Sequence, residues 1–182
     1  MIHKGEDAEK RAALAVAEKM AAAAKTAPKG SGVDDVIVLI LDGEDKAVLS
    51  RHMRNIAGEV NLEFFNRDAG NVDASHCVVL IGMVDNPLYI KGCGMCGFKN
   101  CRERKMAGTH CAFNLTDLGI AMGSAVSVAA DNRMDNRVLY SAGQAALRMG
   151  CFPPAVKVCY GIPLATGSKS IFFDRDPANV MA

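Results

Sequence analysis

GCGMCGFKNCRERKMAGTHCAFN, Gly92 to Asn114, carries four of the seven cysteines of the chain. Cys93, Cys96 and Cys101 follow the pattern CxxCx4C, and Cys111 comes ten residues after the third. Thiolates are soft ligands that select zinc or iron-sulfur centres over hard cations, so metal ligation is the first reading of this loop. Structural zinc sites usually join two separate CxxC knuckles into one tetrahedron. Here a single CxxC is followed by a third cysteine only four residues on. Three ligands from one short loop suit a cuboidal [4Fe-4S] cluster, whose irons stand apart, with Cys111 closing the cage from the far side. The order differs from the bacterial C-x2-C-x2-C run and reverses the plant-type C-x4-C-x2-C run, so spacing alone leaves a structural zinc site in play.

The residues between the thiols lean the same way. Gly92, Gly94 and Gly97 free the backbone to aim amides at sulfur. Asn114 is an N-cap candidate, with Asp117 three residues on, for a helix whose positive end would face an anionic centre. Lys91, Lys99, Arg102, Arg104 and Lys105 outnumber Glu103. They form either a solvated loop face or a docking patch for an acidic redox partner protein, with an attraction that weakens as salt is added. His110 is either a loop histidine or a group that bonds a sulfur or moves a proton.

Outward from the loop, the sequence reads as alternating helices and strands. Cys77 to Val84 precedes it as a buried strand, and Val36 to Leu41, a continuous aliphatic run between Asp34-Asp35 and Asp42-Gly43, is another strand buried on both faces. Glu6 to Lys25 is an amphipathic helix with Leu14, Ala17, Ala21 and Ala24 on its apolar face, and Glu44 to Phe65 is a second helix weakened at Gly58. Asn66 to Ser75 reads as a polar connection. Leu115 to Ala130 follows the loop as a helix crowded with Gly, Ala and Ser, a surface suited to a close-packed central helix or to a subunit interface. Asp135 or Asn136 is expected to cap a helix over Arg137 to Met149, ended by Gly150. Val156 to Tyr160 is a third strand, interrupted by Gly161-Ile162-Pro163, and Ile171-Phe172-Phe173 in the tail needs somewhere to dock. Cys77, Cys151 and Cys159 read as structural thiols.

Composition bounds the rest. The 182 residues are 50% hydrophobic with a formal net charge of +1. That balance, without Trp and with 5% aromatic residues, makes no case for nucleic acid. No apolar run approaches the roughly 18 residues of a membrane span. The N-terminus shows no signal pattern, so a cytoplasmic protein with reduced thiols is expected.

CGMCGFKNC, the later HCAFN, the small-residue helix and GIPLATGSKSIFFDR from Gly161 to Arg175 together resemble a largely uncharacterised prokaryotic family containing a ferredoxin domain. The resemblance spans nearly the whole chain. It implies one four-Cys iron-sulfur cluster on Cys93, Cys96, Cys101 and Cys111, and an electron-transfer role. The same family is distantly similar to flavin-dependent nitroreductases, through Ala23-Ala24-Lys25-Thr26-Ala27-Pro28 and through a late strand ending Tyr160-Gly161-Ile162-Pro163. That similarity implies a single α+β domain over 1–182, with a mostly antiparallel central sheet packed by helices and an inserted iron-sulfur loop at 85–113. It further implies a homodimer and, as an alternative function, an FMN-dependent oxidoreductase. No flavin-binding residues are assigned, because Lys29 stands where those enzymes have Ser after the Pro. The remaining alternative is a zinc-stabilised binding module.

Overall fold

Cys77–Val84 (β2) is the strand on which the computed structural model, describing residues 1–173, is assembled. On one side it pairs antiparallel with Val36–Leu41 (β1), with Leu39 opposite Leu80. On the other side lies antiparallel Val156–Ala165 (β4), with Leu80 opposite Gly161. Asp135–Asn136 (β3) adds a short edge beyond β4, giving the order β1-β2-β4-β3. Alternation along β2 decides what each face holds. Cys77, Val79, Ile81 and Met83 join one apolar core, and Val78 and Leu80 join the other. A strand covered on both faces can be apolar throughout, as this one is.

The first face is covered by two long helices, Gly5–Thr26 (α1) and Ala112–Asp131 (α5). Ala13, Ala17, Met20 and Ala24 of α1 meet Leu118, Ala121, Ala125 and Ala129 of α5, all buried. Small side chains allow that close approach, and Ser124 Oγ donates to the Ala23 carbonyl at 3.1 Å. The opposite face of α5 leaves Leu115 and Ile120 about two-fifths exposed, at 41% and 40%. Among the described residues α5 is one helix long and apolar enough to cross a membrane by length and composition, with one face packed inside the protein.

The second face carries Gly43–Val60 (α2), Phe64–Ala74 (α3) and Tyr140–Met149 (α6). The helix expected over Glu44 to Phe65 is therefore two. Asn61 sits in the left-handed region, φ 53°, and ends α2. Asparagine tolerates that conformation better than most residues. The expected polar connection at Asn66 to Ser75 is mostly the helix α3. It buries Phe65, Ala69 and Val72, a 3.6-residue pattern masked by the polar residues between them.

Three further expectations change for local reasons. β1 is an edge strand with half-buried residues in its middle rather than one buried on both faces, because among the described residues only β2 pairs with it. α6 starts at Tyr140 rather than Arg137, because Leu139 exchanges backbone hydrogen bonds with Gly161 at 2.8 and 3.0 Å and keeps the chain extended. Asp135 and Asn136 accordingly form β3 instead of a helix cap.

β4 continues through Gly161-Ile162-Pro163 to Ala165. Gly161 bonds Leu139 on the β3 side while the Leu164 carbonyl accepts from His76 beside β2. Strand alternation then turns Pro163, which has no N–H, toward the β3 side, where the two-residue edge has already ended. In the tail, Phe172 is fully buried, and Phe173 is exposed under the Arg137 guanidinium, 5.2 Å from its ring centroid. Asp174 and Arg175, the end of the tail motif, lie outside the described residues.

Candidate metal centre

The chain leaves β2 at Val84, and 26 residues after Asp85 it reaches Cys111, the residue before α5. Within this excursion lies a six-residue helix, Cys101–Met106 (α4). Asn100 caps it, its Oδ1 accepting from the Glu103 amide at 3.0 Å while its Nδ2 donates to the Glu103 carboxylate at 3.1 Å. This Asn-x-x-Glu pair is a capping-box signal that makes α4 legible in the sequence, although the cysteine spacing draws attention away from it. Upstream, Gly92, Gly94 and Gly97 all adopt positive φ, 76°, 61° and 83°, and the Gly97 amide donates to the Gly94 carbonyl at 2.9 Å. A side chain at any of the three would be strained, which accounts for glycine at each.

Cys93, Cys96, Cys101 and Cys111 line one pocket, together with Arg104 and Phe113 among others. No carboxylate or histidine lines it, whereas Lys99 and Arg104 do. A donor set of soft thiolates beside cations suits an anionic iron-sulfur centre. Among the described residues, no group of three or more His, Cys, Asp or Glu side chains is drawn together as a site for a single metal ion.

Asn114, expected as the cap of α5, is instead a buried residue inside its first turn, and Cys111 occupies the cap position. The helix begins earlier because the Cys111 carbonyl already accepts from the Leu115 amide at 3.1 Å. Cys111 makes no side-chain capping bond. Its sulfur thus stands at a helix N-terminus whose first amides have no partner within the helix.

Arg104 departs most from its sequence reading. Four cations of the expected docking patch, Lys91, Lys99, Arg102 and Lys105, are exposed, whereas Arg104 is 1% exposed. Its Nη1 donates to both carboxylate oxygens of Asp85, at 2.9 and 2.6 Å, and to the Thr109 carbonyl. Asp85 Oδ1 also accepts from the Cys111 amide at 3.3 Å, so one ion pair ties α4 to the start of α5. Burial works against the guanidinium, but the hydrogen bond and charge of Asp85, joined by the thiols of Cys111 and Cys101, hold its pKa above the ordinary value. His110 is half-buried, with Nδ1 3.9 Å from Asp85, beyond hydrogen-bond reach. Asp85 was not singled out in the sequence, and no spacing rule would have found it.

The other cysteines are set in the two cores. Cys77 and Cys159 are buried, at 0% and 1% exposure, and Cys151 is half-buried. Burial, helped by the Asp42 charge and opposed by Lys46, pushes the Cys77 thiol up to about 12. Burial and the neighbouring Cys151 raise Cys159 as well. Such thiols stay protonated and unreactive at neutral pH.

At the turn after α1, Lys29 Nζ donates to the carbonyls of Ala24, Lys25 and Ala27 at 2.9, 2.9 and 2.8 Å. Lys25 pairs with Asp34. Both cations of the turn that resembles flavin enzymes are engaged with the chain itself.

Residues 107–175 match a family described as uncharacterized protein containing a ferredoxin domain. An uncharacterized protein of Archaeoglobus fulgidus is 38% identical over 166 residues, covering 87% of this chain and 89% of that one. Solved structures with a similar fold include an oxidoreductase containing FMN, at 14% identity and TM-score 0.57, covering 85% of this chain and 67% of the other. A nitroreductase with bound FMN from Desulfitobacterium hafniense has 12% identity and TM-score 0.53, with 93% and 81% covered. Some of these proteins are longer, and the chain spans 58% of a hypothetical oxidoreductase from Bacillus subtilis with a similar fold. These likenesses establish a nitroreductase-like α+β fold with a four-stranded antiparallel sheet.

Proposed function

Because the chain belongs to the family of uncharacterized proteins containing a ferredoxin domain, we propose that it is a redox protein carrying electrons on one [4Fe-4S] cluster held by Cys93, Cys96, Cys101 and Cys111. The observation that carries this reading is the convergence of all four thiols, from a glycine loop, the start of α4 and the cap position of α5, on one pocket with cations and no carboxylates. A bound cluster supplies one-electron oxidation and reduction. The chain supplies four soft ligands, a helix N-terminus and an arginine held in place by Asp85. Anaerobically prepared protein is expected to be brown, to contain iron and acid-labile sulfide in equal amounts, and to bleach with dithionite. Colourless protein with stoichiometric zinc would sink the reading in favour of a structural metal site.

Exchange with a redox partner protein is the second part of the proposal. Tyr89, Ile90, Lys91, Lys99 and Arg102 border a groove that shares Cys101 with the thiol pocket. Apolar side chains at 65% and 44% exposure for Tyr89 and Ile90, ringed by cations, suit an acidic protein with an apolar contact point. Electron transfer from the reduced protein to an acidic flavodoxin is expected to slow as salt rises from about 0.1 to about 1 M, over which the Debye length contracts from about 10 to about 3 Å. A rate indifferent to salt would remove the docking role of these cations.

A flavin-dependent oxidoreductase is the second reading, favoured by the FMN proteins among the structural neighbours. The same preparation discriminates, since denaturation would release a yellow fluorescent cofactor in stoichiometric amount. In this reading a homodimer would use the exposed face of α5 around Leu115, Gly119 and Ile120.

A further inference from the structure

Arg104 is held at one end only. Its side chain is 2% exposed, and the bonds to Asp85 and Thr109 all run through Nη1. Nε is buried and has no hydrogen-bond partner among the described residues. A buried guanidinium N–H left unmade bears its desolvation penalty with nothing to offset it, so such a group in a folded protein calls for an acceptor. Arg104 lines the thiol pocket, and Cys111 and Cys101 are close enough to act electrostatically on its charge. The pocket thus sets the sulfurs of Cys101 and Cys111 near the guanidinium, while the other side-chain acceptor of its lining, Asn100 Oδ1, already accepts from the Glu103 amide.

We propose that Arg104 is a positioning residue of the thiol-lined centre, with Nε–H donating to a sulfur of the bound centre and thereby favouring the reduced, more negative state. This rests on the ligand assignment of the preceding subsection and adds a specific control of reduction potential to it. The geometry explains why arginine serves where lysine would not. One planar head must satisfy Asp85 and Thr109 through one nitrogen while offering a second, rigidly placed N–H to the pocket. A lysine can keep the ion pair with Asp85 but has a single nitrogen for all of these tasks. A purely structural Arg104 would brace Asp85 and the loop without affecting the electron affinity of the centre.

The test compares wild-type and Arg104→Lys protein, both purified anaerobically and assayed for iron, sulfide and folding by circular dichroism. Arg104→Lys is expected to retain iron and sulfide yet show at least a tenfold lower ratio of reduced to oxidised centre at a fixed potential, a shift of about 59 mV for one electron. In wild-type protein labelled with 15N-arginine and reduced with dithionite, pulsed EPR should detect a nitrogen hyperfine coupling that Arg104→Lys lacks. An unchanged midpoint in folded, iron-loaded Arg104→Lys would overturn the inference, as would the absence of 15N coupling in iron-loaded wild-type protein. The second measurement decides the matter even where the variant does not fold. Wild-type protein without iron and sulfide would defeat the ligand assignment and this inference with it, whereas iron-loaded protein lacking the coupling defeats this inference alone.

Discussion

Cys111→Ser protein, prepared without oxygen, will be folded and colourless, with bound iron reduced by more than about tenfold, since a serine hydroxyl is a hard donor that competes poorly for a soft iron-sulfur centre. The fold should survive for a specific reason. The Cys111 side chain makes no capping bond, and serine is among the preferred residues at a helix N-cap. The Cys111 amide bond to Asp85 is a backbone contact that the change leaves in place. Iron and sulfide analysis with circular dichroism separates loss of ligand from loss of structure. Cys96→Ser is expected to behave alike, whereas Cys159→Ala, altering a thiol of the core beneath α6, should keep the chromophore. A full four-iron spectrum from Cys111→Ser would take Cys111 out of the ligand set.

Gly143→Ala is expected to produce the largest loss of stability outside the metal centre. A Cβ on Gly143 would lie 1.8 Å from the Cys159 carbonyl oxygen and 2.8 Å from Tyr160 Cα, so α6 would have to lift from β4. Backbone cannot swing aside as a side chain can. Overpacking costs about 1–3 kcal/mol and sometimes more, and alanine returns only about 1 kcal/mol of helix propensity. We expect a net loss of about 2 kcal/mol, lowering Tm by about 4–8 °C. Gly123→Ala provides the contrast, because nothing lies within 4 Å of the added carbon, and there the propensity gain should leave stability unchanged or higher. Thermal and denaturant unfolding of the two variants checks the pair. Equal Tm values would show that the α6–β4 contact yields without cost.

The contrast between these glycines bears on how much could be read from the chain. Strands bounded by turn residues were legible: β1 and β2 run over the residues expected, because aliphatic runs of six and eight between Asp, Ser and Gly signals have few other solutions. The helix α1 was legible for the same kind of reason, although its buried face centres on Ala13, Ala17 and Met20 rather than on Leu14 and Ala21. An alanine-rich helix carries little contrast between its faces. What escaped was set by partners distant in sequence. Leu139 is extended because Gly161 bonds it, and β4 runs past Pro163 because its neighbour has ended there. At the candidate metal centre, spacing and family resemblance single out the four thiols that line one pocket and the glycines that adopt positive φ. Arg104 was read as one exposed charge among five, and only its pairing with Asp85, 19 residues earlier, places it inside.

The bond between the Cys111 amide and Asp85 closes a neck, since the chain departs from β2 and re-enters at α5 through two positions that touch. Between them lie all four thiols' approaches and α4, while the sheet and the two apolar cores are assembled from residues on either side. Loop length is cheap in closure entropy, each doubling costing about 0.6 kcal/mol. What hangs from the neck lies outside both cores and meets the scaffold at its near end, where Asn86 donates to Asp35 at 3.2 Å. Changing the length of the segment between the two ends of the neck is therefore expected to cost the sheet little stability.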